Sequence, residues 1–181
     1  MPFDLWLIYE HKLLADYWLD FLGAGGRTNV VYDVPDQGAE GPVPDHWQPV
    51  PIGKAAIRRQ GRDLTITGVG VSVHRALEAA EVLAEQTYSA EVLDLRTVSP
   101  LDNQALLASV FKTGRLLAVD EDYRGFGLSG ELAARVLESG ISVKYGRVCT
   151  ENTIPYSREL EDRTLPNTYR IVEAALQLFN N

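Results

Sequence analysis

Glycines at 125, 127 and 130 stand inside EDYRGFGLSGEL (121–132), directly after an apolar run and directly before a helical pattern. Glycines so placed can bare backbone N–H groups toward an anion at a helix N-terminus. The stretch therefore invites a reading as a phosphate cradle. Its setting argues otherwise. The G-x-G-x-x-G spacing follows the third buried strand of the unit rather than the first, and no acid ends a next strand to hold a ribose. The chain carries no G-x-x-x-x-G-K-[ST] either. A tight turn into a helix is the plainer reading, with an anion or interface role open for Gly125, Phe126, Gly127 and Ser129.

Other residue types could also do chemistry. Asp120, Glu121 and Asp122 could bind a cation, although three acids at a strand end also describe a solvated loop. His74 opens a helix after a strand, where a histidine could serve as a general base. No serine or cysteine nucleophile pairs with it in sequence, so a surface or interface role is favoured. His11 and His46 have no metal-ligand spacing with other residues. The single cysteine, Cys149, excludes an internal disulfide framework, suits a reducing compartment and reads as a small buried hydrophobe. Arg58, Arg59 and Arg62 form the only local basic cluster and read as a solvated strand edge and turn.

Charge narrows the partners. The net charge is −8, and residues 1–50 hold eight acids against two bases. Residues 51–181 hold seventeen acids against fifteen bases, so most of the acidity belongs to the N-terminal arm. Nucleic acid needs a clustered basic face and is not an expected partner. No apolar run approaches the ~20 residues of a membrane span. The start MPFDLWLIYEHK lacks the basic start and small-residue cleavage site of a signal peptide, so a cytoplasmic chain is expected.

The elements that must position these residues divide the chain at about residue 50. In the first part, LWLIY (5–9) and TNVVYDV (28–34) could be strands. Residues 12–26 have helical spacing, with Leu14, Trp18, Phe21 and Leu22 on one side. PDQGAEGPVPDHWQPVP (35–51) holds five prolines and two glycines, so it reads as a linker or wrapping arm into which Trp47 docks. From residue 51 the pattern is regular. Strands are expected at 54–59, 64–70, 90–96, 115–121 and 142–148. The middle three are β-branched or leucine-rich runs of the kind buried on both faces. Helices are expected at 72–86, 99–114, 129–140 and 166–179. The second would be capped by Ser99, with Pro100 at its first position, and would close at Gly114. Alternating strand and helix predicts a sheet covered on both faces, parallel except for an antiparallel edge strand at 54–59.

The order of segments resembles a known family. VPIGKAAIRRQGRDLTITGVGVSVHRALEAAEVL, SAEVLDLRTVSPLD, KTGRLLAVDED, GFGLSGELAARV and TIPYSRELEDRTLPNTYRIVEAAL look like consecutive segments of one domain. It is the C-terminal, transketolase-type domain of the beta subunit of thiamine-dependent 2-oxo acid dehydrogenases, which act on pyruvate or branched-chain 2-oxo acids such as 2-oxoisovalerate. The resemblance covers about residues 50–178. It implies a three-layer α/β/α fold with a mixed five-stranded sheet of order 1-3-2-4-5. It divides the chain into 1–50, a remnant of the pyrimidine-binding domain, and 51–181, the C-terminal domain. LIYEHKLLAD (7–16) resembles the end of that preceding domain, whereas residues 17–40 have no counterpart.

The family's G-D-G diphosphate motif and its activating glutamate are absent from these residues. The resemblance therefore implies no catalytic residue here and no thiamine diphosphate or Mg²⁺ bound by this chain alone. It implies assembly: a homodimer, an alpha subunit and an acyltransferase core as partners, with Trp18, Phe21 and His74 as interface candidates. Under it the glycine loop is a packing and interface element. The alternatives are a stand-alone α/β domain that binds a partner or an anion, and a small hydrolase or transferase.

Overall fold

The computed structural model describes residues 7–9, 45, 46, 49–155 and 157–180. Residues 7–9 of the strand expected at 5–9 are exposed and carry no strand; the helix expected at 12–26 and the strand at 28–34, with Trp18 and Phe21, lie outside the described residues, as do His11 and Trp47.

Five strands form one sheet: β1 (Ala56–Arg59), β2 (Leu64–Gly68), β3 (Ala90–Asp94), β4 (Arg115–Tyr123) and β5 (Lys144–Thr150). Their order is β1-β3-β2-β4-β5, as the resemblance implies. β1 runs antiparallel to β3 and has a bulge between Ile57 and Arg59, while the other strands are mutually parallel. The helices among the described residues are α1 (Val71–Glu85), α2 (Asn103–Thr113), α3 (Leu128–Glu138), α4 (Arg158–Thr164) and α5 (Thr168–Asn180).

Side-chain alternation along the strands separates the two faces. Leu64, Ile66, Leu117, Val119 and Val148 meet Ala76, Ala80 and Leu83 of α1 and Ile171, Ala175 and Leu178 of α5. Leu93, Leu116 and Ala118 meet Leu106 and Val110 of α2 and Leu132 and Val136 of α3. Burying a leucine fully stabilises by roughly 1.5–3 kcal/mol relative to leaving it in water. β2 nevertheless turns Thr65 toward α2, where it bonds Ser109 and Thr113 at 2.7 and 2.8 Å. Ser109 donates to the fully buried Glu91 at 2.5 Å, and Lys112 reaches the other carboxylate oxygen from the surface.

One expected boundary is corrected. Ser99 does not cap α2 and Pro100 is not its first residue. The helix begins at Asn103, and Asp102 is the cap, accepting from Ala105 N at 3.1 Å. Residues 97–102 instead hold the segment entering β1. Thr97 Oγ1 donates to Pro100 O and accepts from Gly53 N, and Asp102 also accepts from Ala55 N. Burial alone would raise the Asp102 carboxyl, but the Ala105 and Ala55 amides and the Lys54 charge outweigh it and hold it below the ordinary range. α2 does close at Gly114, which is left-handed at φ 66.

Candidate functional site

The connections leaving β2 and β4 diverge, β2 toward β3 and β4 toward β5. The crevice between such strand ends is where open α/β sheets usually bind ligands. Here it is packed tight. A Cβ on Gly68 would come within 2.9 Å of Val119 O and 2.8 Å of Ser72 Cβ.

The glycine loop leaves β4 next to this point. Asp120 organises it: its Oδ1 accepts from Asp122 N at 3.1 Å and its Oδ2 from Ser129 N at 2.9 Å. The first turn of α3 thus already holds an anionic partner, supplied by the chain itself. That carboxylate also answers the positive end of the helix dipole. Gly127 is required by close approach, because a Cβ there would lie 2.5 Å from Tyr123 O and 2.8 Å from Asp120 Oδ2. Phe126 adopts a left-handed φ of 68 and its side chain is fully exposed. Thr150 Oγ1 donates to Glu121 O and Arg124 N to Thr150 O, which tie the loop to the end of β5.

Behind the loop lies a small polar cluster. The Tyr145 hydroxyl donates to Ser129 O at 2.6 Å, and the Cys149 thiol donates to Ser129 Oγ at 3.2 Å. Burial pushes the Cys149 thiol up, which keeps it protonated and makes it a poor nucleophile. Burial likewise pushes Tyr145 up to about 12. Cys149 is thus buried, as expected.

The structure places Gly125, Phe126 and Gly127 in the turn after β4 and Ser129 beside them in the first turn of α3. His74 stands apart, half-buried in the first turn of α1. His46 is exposed. Among the described residues no group of three or more histidine, cysteine, aspartate or glutamate side chains could hold a metal ion. Of the three clustered arginines, Arg58 is more than a solvated edge: its Nε and Nη2 donate to Asp94 Oδ2 at 2.9 and 2.8 Å. Sequence reasoning missed Asp120 as the partner of Ser129, nine residues away. It also missed Arg147 and Arg170, which come together at the open edge of β5. An acid ending a strand before a glycine loop was the available signal for the first; nothing in the linear pattern marks the second.

Comparison with known proteins places this arrangement. Residues 53–171 match the family model of the transketolase C-terminal domain. The beta subunit of acetoin:2,6-dichlorophenolindophenol oxidoreductase from Cupriavidus necator is 42% identical over 142 residues, which span 76% of this chain and 42% of that one. The Bacillus subtilis protein of the same description is 40% identical over 143 residues, spanning 77% and 42%. The pyruvate dehydrogenase E1 component subunit beta of Staphylococcus epidermidis is 40% identical over 136 residues, spanning 74% and 42%. The chain thus spans less than half the length of these relatives. A solved structure described as a split gene transketolase, inactive beta4 tetramer, shares the fold with a TM-score of 0.67 and 24% identity, covering 76% of this chain and 47% of that one.

Proposed function

This chain belongs to the transketolase C-terminal domain family, and we propose that it is a beta-subunit component of a 2-oxo acid dehydrogenase, residues 51–181 supplying the C-terminal assembly domain. The complete enzyme would carry out thiamine-dependent oxidative decarboxylation of pyruvate or a branched-chain 2-oxo acid, or act on acetoin as two of its relatives are named for. The observation that carries the reading is about 40% identity to named beta subunits over 136–143 residues, nearly the whole described domain.

The residues described here do not fit the family cofactor. Thiamine diphosphate with Mg²⁺ needs donors for a diphosphate and oxygen ligands for the metal. The α3 amide that points at an anion is occupied by Asp120. No metal-holding cluster stands among the described residues. The role is therefore assembly, in a cytoplasmic complex with an alpha subunit and an acyltransferase core. No helix among the described residues is long and apolar enough to cross a membrane.

Residues 1–50 belong to the same reading as part of the pyrimidine-binding domain. Their apolar residues, with Trp18 and Phe21 as anchors, would contribute to a homodimer contact. Replacing Trp18 and Phe21 together with Ser should shift the mass seen by light scattering toward monomer. An unaltered chain that stays monomeric at high concentration removes the dimer from the proposal.

Reconstitution tests the whole reading. The chain is mixed with the alpha subunit of a relative and a separately expressed pyrimidine-binding domain, and complex formation is followed by analytical ultracentrifugation. A complex containing all the components, with decarboxylation that depends on adding the chain, is the expected result. Failure to associate with either component overturns it. Calorimetry on the chain alone should show no heat with thiamine diphosphate and Mg²⁺, and micromolar binding would contradict the assembly role.

A further inference from the structure

β5 ends the sheet, and its outer edge pairs with no other strand among the described residues. Along this edge and beside α5 runs a groove of about 390 Å³. That volume is within the roughly 300–1,000 Å³ of small-molecule sites. Arg124 from the loop after β4, Arg147 from β5 and Arg170 from α5 line it, with Tyr145, Glu151 and Glu173.

The arginines differ in what they already hold. Arg124 faces Glu151 at 3.0 Å, so its charge is answered. Arg147 donates to Arg124 O at 2.9 Å, and Arg170 to Thr164 O at 2.6 Å and Cys149 O at 3.0 Å. Carbonyl oxygens orient a guanidinium but do not cancel its charge. Each guanidinium has five N–H donors. These carbonyls take one on Arg147 and two on Arg170, so both forks keep donors for an oxyanion. Against these two charges stands Glu173, whose Oε1 accepts from the Tyr169 hydroxyl at 2.6 Å. The groove therefore carries a net positive charge on side chains already held in place, which lowers the ordering cost of binding.

We propose that this groove is a binding site for a small oxyanion, a carboxylate or phosphate group held by the forks of Arg147 and Arg170. The site is independent of the reading of the chain as a dehydrogenase component. It can stand or fall without it.

Titration calorimetry of the full chain at low ionic strength, with sodium phosphate and with sodium succinate, tests the proposal. One-site binding of at least one probe is expected, and the better probe tells whether the group is tetrahedral or planar. Arg147→Gln should weaken that binding about tenfold, the loss of one charge-assisted hydrogen bond. Glu173→Gln removes the opposing charge and should tighten it about threefold, as expected of an exposed charge. Opposite signs cannot both arise from damage to the fold, and Glu173→Gln leaves the arginine contacts intact if Arg147→Gln unfolds. The proposal is overturned if neither probe binds, or if Glu173→Gln fails to tighten binding. It is also overturned if poly-glutamate binds where neither small anion does, because the edge would then be a docking strand for an acidic segment.

Discussion

Two neighbouring regions gather hydrogen-bond donors, and they use them differently. The loop between β4 and α3 has the glycines and helix start that suggest anion binding, yet Asp120 already accepts from Ser129 N. The edge of β5 has no motif, yet among the described residues Arg147 and Arg170 are tied to carbonyl oxygens, which leave their charge uncancelled. The difference teaches that a donor-rich region is judged by what its donors already hold. Glycine spacing shows how closely backbone can approach; the acceptors in place show whether room is left for a ligand.

The largest expected effect tests how rigidly the loop is sealed. Gly127→Ala puts a Cβ against Tyr123 O and Asp120 Oδ2. Tyr123 O is backbone and cannot swing away. A loss of roughly 2–3 kcal/mol is expected, the upper part of the range for overpacking. Urea denaturation measures it. A change within the error of the melt would mean the loop gives freely and does not seal the helix start.

Next comes the seal itself. Asp120→Ala leaves Ser129 N and Asp122 N without their carboxylate and should cost about 1–2 kcal/mol, comparable to losing a helix cap. Asp120→Asn should recover part of that. The comparison sharpens if phosphate raises the melting temperature of Asp120→Ala more than that of Asp120→Asn, since the emptied helix start would then accept an outside anion. Equal responses would locate any anion binding elsewhere, at the β5 edge.

Phe126 gives a smaller effect of opposite sign. A left-handed residue other than glycine costs about 1 kcal/mol, and the ring of Phe126 is fully exposed and packs against nothing among the described residues. Phe126→Gly should therefore stabilise the isolated chain by about 1 kcal/mol. If the ring is an interface contact, the same variant should weaken association in sedimentation experiments. Loss of stability instead would mean that the ring contributes to the fold.

How far the sequence revealed these regions follows from the range of the contacts involved. The strands LTITG, AEVLD and RLLAV were legible because covering both faces requires near-continuous apolar runs. The sheet order was legible only through the resemblance of whole segments. The start of α2 was misread because Ser99 and Pro100 carry local capping chemistry. What decides the boundary is Asp102, which holds Ala55 N from 47 residues away. α4 was missed because RELEDRT has no apolar face to give a period. Glu91 hid inside an apolar run, with its partners Ser109 and Lys112 on the next helix. The groove was illegible because Arg147 and Arg170 meet only when α5 packs beside β5.

The smallest effect concerns a side chain between the two regions. Tyr145 lies on β5, lines the groove and donates its hydroxyl to Ser129 O in the first turn of α3. Burial lifts its ionisation from the ordinary 10.0 to about 12, with the Arg147 charge pulling the other way. The folded chain therefore keeps a proton that the unfolded chain releases above pH 10. The Tyr145 contribution is complete below pH 10 and is lost as pH rises toward 12. Tyr145→Phe cannot titrate. At pH 7 it should be less stable by about 1 kcal/mol or less, the net worth of one hydrogen bond. The gap to the parent chain should narrow when urea midpoints are measured between pH 10 and 12. Cys149 is also raised by burial and adds its own alkaline loss, but both chains carry it, so it cancels to first order in the difference. A gap that stays constant with pH would mean Tyr145 ionises no later than in the unfolded chain. The hydroxyl would then be open to the groove rather than shared with the sealed loop.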